Sequence, residues 1–182
     1  MSKAVLISIR PKWVEKIANG EKTIEVRKTR PNLPTPFKAY IYCTLPKYPH
    51  EDFIATDYPR PQFYGGGKVI GEFTCDRIDE YDDDTIFSFR HEDYARWNDF
   101  DLDRACMHPE DFQNYANGKW LYGWHISDLL IYDQPRELSE FQRATDPCDS
   151  CHAEYTWECT DCKKFGGNIK RPPQSWCYVE EV

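Results

Sequence analysis

The sequence predicts an α+β fold: a small mixed β-barrel with flanking helices, followed by a compact C-terminal metal-binding ribbon. Three observations lead there. A strand–helix–strand unit fills the first 28 residues. A long strand-like run at 68–77 carries Gly71 in its interior, as bent barrel strands do. Two Cys-x-x-Cys pairs stand near the C-terminus. Strands and helices do not alternate regularly, which argues against a doubly wound sheet. The boundaries are drawn at 1–144 for the barrel domain and 145–182 for the ribbon and a C-terminal strand that returns to the barrel.

Residues 4–9, Ala-Val-Leu-Ile-Ser-Ile, read as a buried strand that ends at Arg10-Pro11. Proline suits a first helical turn, and Trp13, Val14 and Ile17 form a helical stripe after it. Asn19-Gly20 ends that helix, with glycine where a left-handed residue is wanted. A second strand is expected at 22–28, a proline-rich loop at 30–37 and a third strand at 39–43. Residues 44–66, with four prolines, read as an irregular excursion. Residues 79–84 are nearly all acidic and read as a turn. Short helices are expected within 87–118, one from Pro109 to a stop at Asn117-Gly118. Residues 120–132 form the last barrel strand or strand pair, and 138–141 a helical turn.

Charge is unevenly distributed within the net −8. Residues 1–50 hold ten Lys/Arg against three Asp/Glu, and residues 51–146 hold nine against twenty-two. This excludes a whole-surface electrostatic grip on nucleic acid but leaves room for a local basic site near the N-terminus. No apolar run approaches a membrane span, and Met-Ser-Lys opens no signal-peptide core, so a cytoplasmic protein without membrane association is expected.

The most informative segment is Gly-Glu-Lys-Thr-Ile-Glu-Val-Arg at 20–27. Strand alternation sends Lys22, Ile24 and Val26 one way and Thr23, Glu25 and Arg27 the other, with Glu25 and Arg27 about 7 Å apart on their face and Lys22 at its entrance. Arg27 offers a planar fork and Lys22 a point charge for a phosphate or a base oxygen. Glu25 can accept from the exocyclic amine of a base. Arg10 and Lys12, with helix-start amides, add phosphate contacts, and Trp13, Tyr42 or Trp124 can stack a base. A plain salt bridge between Glu25 and Arg27 is the simpler alternative. His125 reads as a satisfied structural histidine.

The run from Leu6 to Lys28 resembles the start of the ASCH domain, whose signature Gly-x-Lys-x-x-Glu-x-Arg is met by Gly20, Lys22, Glu25 and Arg27. Residues 69–73 and 124–128 resemble later strands of that family, and the ending from Arg171 resembles the tail of ASCH proteins carried by bacteria and their phages. The resemblance covers roughly residues 3–141. It implies a PUA-like barrel with a cleft between the first helix and the barrel, and an association with RNA and modified bases. It also implies a hydrolase alternative, since some small members deacetylate N4-acetylcytidine or cleave RNA. In the deacetylating branch a threonine stands where this chain has Glu25, and Lys22 is kept.

The leading expectation is therefore binding of RNA, single-stranded nucleic acid or a nucleotide through Arg10, Lys12, Lys22, Glu25, Arg27 and Trp124. A hydrolase using Lys22 and Glu25 is the alternative, and a protein-interaction module the third reading. No nucleophile elbow, phosphate loop or catalytic Cys/His signature is present, so binding leads over catalysis.

Cys148-x-x-Cys151 and Cys159-x-x-Cys162 have the spacing of two zinc knuckles. Four thiolates favour structural zinc, with iron next and disulfides or free thiols as the alternatives. Four protein ligands leave no open position for catalysis. The ribbon, too short to bury much core, would draw stability from the metal. Cys43, Cys75, Cys106 and Cys177 read as core residues.

Overall fold

The structure, a computed structural model, describes residues 2–48, 53–56, 62–82, 84, 99–144 and 167–182. Ten strands, three α-helices and a 3-10 turn occupy this part of the chain. In order they are β1 (Lys3–Ile9), α1 (Pro11–Ala18), β2 (Ile24–Arg27), β3 (Phe37–Cys43), β4 (Phe53–Ile54), β5 (Phe63–Tyr64), β6 (Val69–Tyr81), α2 (Asp99–Ala105), α3 (Pro109–Ala116) and β7 (Leu121–Arg136). The 3-10 turn Leu138–Glu140, β8 (Gln142–Arg143), β9 (Gly167–Asn168) and β10 (Trp176–Glu180) follow.

Eight strands form one mixed sheet in the order β2-β7-β6-β3-β1-β10-β8-β9. β1 and β3 are parallel, joined by the crossover through α1, and the remaining ladders are antiparallel. The sheet is mixed and flanked by helices, but it is not a closed barrel: among the described residues no ladder joins β2 to β9. The chain entering β2 is tied to a helix instead, the Thr23 amide donating to the Arg104 carbonyl of α2 at 2.8 Å.

β6 and β7 are long and bend together. Their register shifts three times, first between Val69 and Gly71. At Gly71 an added Cβ would lie 2.4 Å from the Leu130 carbonyl oxygen, so only glycine lets the two backbones approach there. The acidic segment turns later than its composition suggests, because β6 runs on to Tyr81, whose ring is buried against Phe112. The excursion at 44–66 contains the short β4–β5 ladder. β7 is a single strand of sixteen residues.

Three cores flank the sheet. The first joins Val14, Ile17 and Ala18 of α1 to Val5, Ile41, Phe73 and Trp124; each such buried aliphatic side chain contributes roughly 1.5–3 kcal/mol. The second seats Ile24 and Val26 of β2 on Leu102, Ala105, Phe112 and Ala116 of α2 and α3. The third gathers Leu6, Tyr40, Phe141 and Val179 around the β1–β10 ladder. Helix α1 starts at Pro11 and ends at Ala18, capped by Asn19, after which Gly20 takes φ +77°. That turn redirects the chain into the segment bearing Lys22.

Candidate functional site

Alternation along β2 sends Ile24 and Val26 into the core beneath α2 and α3 and leaves Glu25 and Arg27 on the other face. There the Glu25 carboxylate meets two cations: Oε1 lies 2.5 Å from Arg27 Nη1, and Oε2 lies 3.4 Å from Lys22 Nζ. β2 begins only at Ile24, so Lys22 escapes the strand's alternation and turns inward to Glu25. Lys22 and Glu25 are each only 3% exposed.

Backbone oxygens complete the cluster. Lys22 Nζ donates to the Ala105 carbonyl at the end of α2 at 2.6 Å. Arg27 donates through Nη2 to the Ser8 carbonyl of β1 at 2.6 Å and through Nη1 to the Val26 carbonyl at 3.3 Å. Burial pushes the Lys22 pKa below its ordinary 10.5; the Glu25 carboxylate opposes this and only partly offsets it. Among the described residues three buried side-chain polar atoms have no hydrogen-bond partner: Oε2 of Glu25 and Nε of Arg27 in this cluster, and Nε1 of Trp124 in the core.

The cluster lies on the wall of a cleft of about 520 Å³ between α1, β2 and the start of α3. Arg10 and Lys12 line the same cleft, as does Trp13. Lys12 Nζ sits 4.3 Å from the centre of the Trp13 ring and Lys22 Nζ 5.2 Å, so this indole carries cations as well as packing against the core. The helix start offers fewer amides than expected: Pro11 has none, and those of Trp13 and Val14 donate to the Arg10 carbonyl.

Trp124, proposed as a ligand residue, is taken away from the cleft by the structure. It faces the core, fully buried, edge-to-face with Phe37 at 5.7 Å and 6.0 Å from Trp176. Its backbone pairs with Glu25, but neighbouring strands in register do not bring its indole into the cleft. Tyr42 is buried as well.

Several lining residues carried no signal in the sequence. Asp111 and Tyr115 reach the cleft from α3, and Gln174 and Ser175 from the approach to β10. Ser8 and Ala105 act through carbonyl oxygens, which every residue type possesses.

Behind β2 a second polar group braces the cluster. His125 is buried, with Nε2 2.6 Å from Asp79 Oδ2 and Nδ1 3.3 Å from Arg104 Nη2. With Nε2–H donating to the carboxylate, Nδ1 is free to accept from the Arg104 guanidinium; Arg77 Nη2 lies 3.0 Å from the same Nε2. Arg77 grips Asp79 through Nε at 3.0 Å and Nη2 at 3.1 Å. Arg104 Nε also donates to Thr23 Oγ1 at 3.0 Å. His125 is thus a satisfied structural histidine.

Cys148, Cys151, Cys159 and Cys162 lie outside the described residues. Among the described residues no group of His, Cys, Asp and Glu is placed to hold a metal. Cys43, Cys75 and Cys177 are buried, and Cys106 is half-buried. No described helix is long and apolar enough to cross a membrane.

No protein-family model and no curated protein sequence matches the chain. Solved structures do. The ASCH protein from Zymomonas mobilis superposes with a TM-score of 0.52 at 18% identity, covering 98% of this chain and 88% of that one. A Tyr-to-Phe variant of that protein gives 0.56 at 18% identity, covering 99% and 92%. A Ser-to-Ala variant gives 0.54 at 19% identity, covering 98% and 89%. The chain therefore has the ASCH fold.

Proposed function

We propose that the chain binds RNA through a nucleotide, modified or not, held in the cleft by Lys22, Glu25 and Arg27. The observation that carries this reading is a pair of buried atoms on the cleft wall that make no hydrogen bond: Arg27 Nε, and Glu25 Oε2, which has only the Lys22 ammonium at 3.4 Å. A buried polar atom without a partner costs roughly 1–3 kcal/mol, and a ligand would relieve that cost. A carboxylate acceptor next to a guanidinium donor suits a base that presents an amine beside a ring nitrogen, as cytosine and adenine do. Arg10 and Lys12 at the rim suit its phosphate. The fold shared with an ASCH protein supports the reading without choosing the ligand.

A panel of single-stranded RNAs and modified nucleosides tests it, with Glu25→Gln and Arg27→Ala alongside. Saturable binding that either substitution abolishes is expected; unchanged binding in both, or none by any probe, overturns the reading.

A hydrolase remains the second reading, favoured by one observation: Lys22, its pKa lowered by burial, stands beside a carboxylate. Product release from the same panel decides it.

We also propose that Cys148, Cys151, Cys159 and Cys162 hold a structural zinc. Four thiolates complete a tetrahedral shell. Support comes from β8 and β9, where Arg143 pairs with Gly167: the two ends of the intervening segment meet at its base.

A further inference from the structure

A second groove, of about 760 Å³, adjoins the cleft and shares Arg10, Lys12 and Thr44 with it. Its far wall is the β4 segment. Two hydrogen bonds fix that wall to α1: the Ala55 amide donates to Glu15 Oε1 at 3.2 Å, and Asn19 Nδ2 donates to the Ala55 carbonyl at 3.0 Å. Alternation in β4 buries Ile54 beneath α1 and turns Phe53 outward, 41% exposed. Phe53 packs on Tyr64 at 5.2 Å between ring centres, and Tyr48 stands on the same groove with Lys47 over its ring at 5.4 Å. Four of the seven large apolar side chains exposed among the described residues, Leu45, Tyr48, Phe53 and Tyr64, fall in or beside this groove. The patch is therefore a cluster and not ordinary scatter.

Its charge is unlike that of the whole chain. Arg10, Lys12 and Lys47 face Glu15, one of whose carboxylate oxygens already takes the Ala55 amide, in a chain of net charge −8. Cations interleaved with exposed aromatic rings along a groove are the chemistry of single-stranded nucleic acid: rings stack bases and cations track the backbone.

We propose that this groove holds the nucleotide next to the one in the cleft, so that the ligand is a single-stranded RNA segment and not a free nucleotide. Arg10 and Lys12 grip the phosphate between the two nucleotides, and Tyr48 and Phe53 stack the second base. The inference rests on the reading of the cleft given above and extends it.

Fluorescence titration compares random-sequence RNA hexamers with the four nucleoside 5′-monophosphates, and with DNA hexamers as a control for the sugar. Hexamers are expected to bind at least tenfold tighter than monophosphates. Tyr48→Ala/Phe53→Ala should weaken hexamer binding roughly fivefold to a hundredfold. Lys47→Ala should lower the salt slope by about 0.7. Neither variant should alter monophosphate binding, and unchanged melting curves would show that both fold. If monophosphates bind but hexamers gain nothing, or the groove variants leave hexamer affinity intact, the second subsite is refuted and the cleft reading survives. DNA binding as tight as RNA refutes the assignment to RNA. If neither probe binds and the groove instead captures a second copy of the chain, seen by sedimentation, both readings fall.

Discussion

The Lys22 ammonium donates to the Ala105 carbonyl at 2.6 Å, joining the segment that enters β2 to the last residue of α2. The same ammonium stands 3.4 Å from Glu25, so one buried side chain ties the cleft wall to the helix that covers the back of β2. Lys22→Met keeps the length and apolar stem but leaves the carbonyl unpartnered. Glu25 would retain Arg27, so the cost falls near the lower end for a broken buried pair, about 3 kcal/mol. A fall in the urea midpoint at constant m-value is the expected result.

The lowered Lys22 pKa also makes a prediction with a definite sign. Between the folded pKa and 10.5, the unfolded chain holds a proton that the folded chain has lost, so stability rises with pH across that window. Opposing it, burial pushes the Cys75 thiol up to about 12 and raises the Tyr81 and Tyr132 hydroxyls. Those groups stay protonated longer when folded, so their terms make stability fall as pH climbs past their unfolded values. The difference between native protein and Lys22→Met cancels these shared terms. That difference should shift in favour of the native protein as pH rises toward 10.5, and a flat difference would contradict the buried, depressed amine.

Arg27→Lys separates charge from geometry. Arg27 bridges Glu25 Oε1 and the Ser8 carbonyl with two nitrogens of one plane, which a lysine cannot do. About 1–2 kcal/mol of stability should be lost, together with roughly tenfold or more in ligand affinity. Isothermal titration and urea melts on the same variant give both numbers.

His125→Leu tests the brace behind the cluster. It removes the contacts to Asp79 and Arg104 while keeping bulk. Arg104 orients the end of α2, whose Ala105 carbonyl receives Lys22. A loss of about 1–3 kcal/mol is expected from the orphaned partners. The backbone amide of Thr23, which donates to Arg104, should exchange faster with solvent, whereas Ala4 in the distant β1 ladder should not.

Glu25 and Arg27 were legible as a pair because period-2 alternation acts within the reach of local sequence, and Lys22 joined them as the cation just past the glycine turn; that it turns inward follows from β2 starting only at Ile24. The helix starting at Pro11 and the kink at Gly71 were legible for the same reason. The open edge of the sheet was not, because it depends on α2 meeting Thr23 across some eighty residues of chain. Nor were the carbonyls of Ser8 and Ala105, since no residue type marks a carbonyl that will accept from a distant cation. Trp124 was misjudged because an exposed and a buried indole look alike in sequence; its burial follows from packing against Phe37 and Trp176.

The cysteine segment yields the last prediction. β8 and β9 close its base with two residue pairs, Gln142 with Asn168 and Arg143 with Gly167. β10, by contrast, is held to β1 by five residue pairs, Lys3 with Glu180 through Ile7 with Trp176. The sheet thus has its own anchorage, independent of whatever the cysteines bind. Elemental analysis should find about one zinc per chain under the four-thiolate proposal. Cys148→Ser/Cys159→Ser should release it and open residues 145–166 to trypsin at Lys163 and Lys164. Amide exchange at Val5 and Leu6, in the β1–β10 ladder, should change little. A metal-free native protein equally resistant to trypsin would remove the zinc from the account; collapse of the whole sheet on metal loss would show instead that the two β8–β9 pairs carry more of the fold than their number suggests.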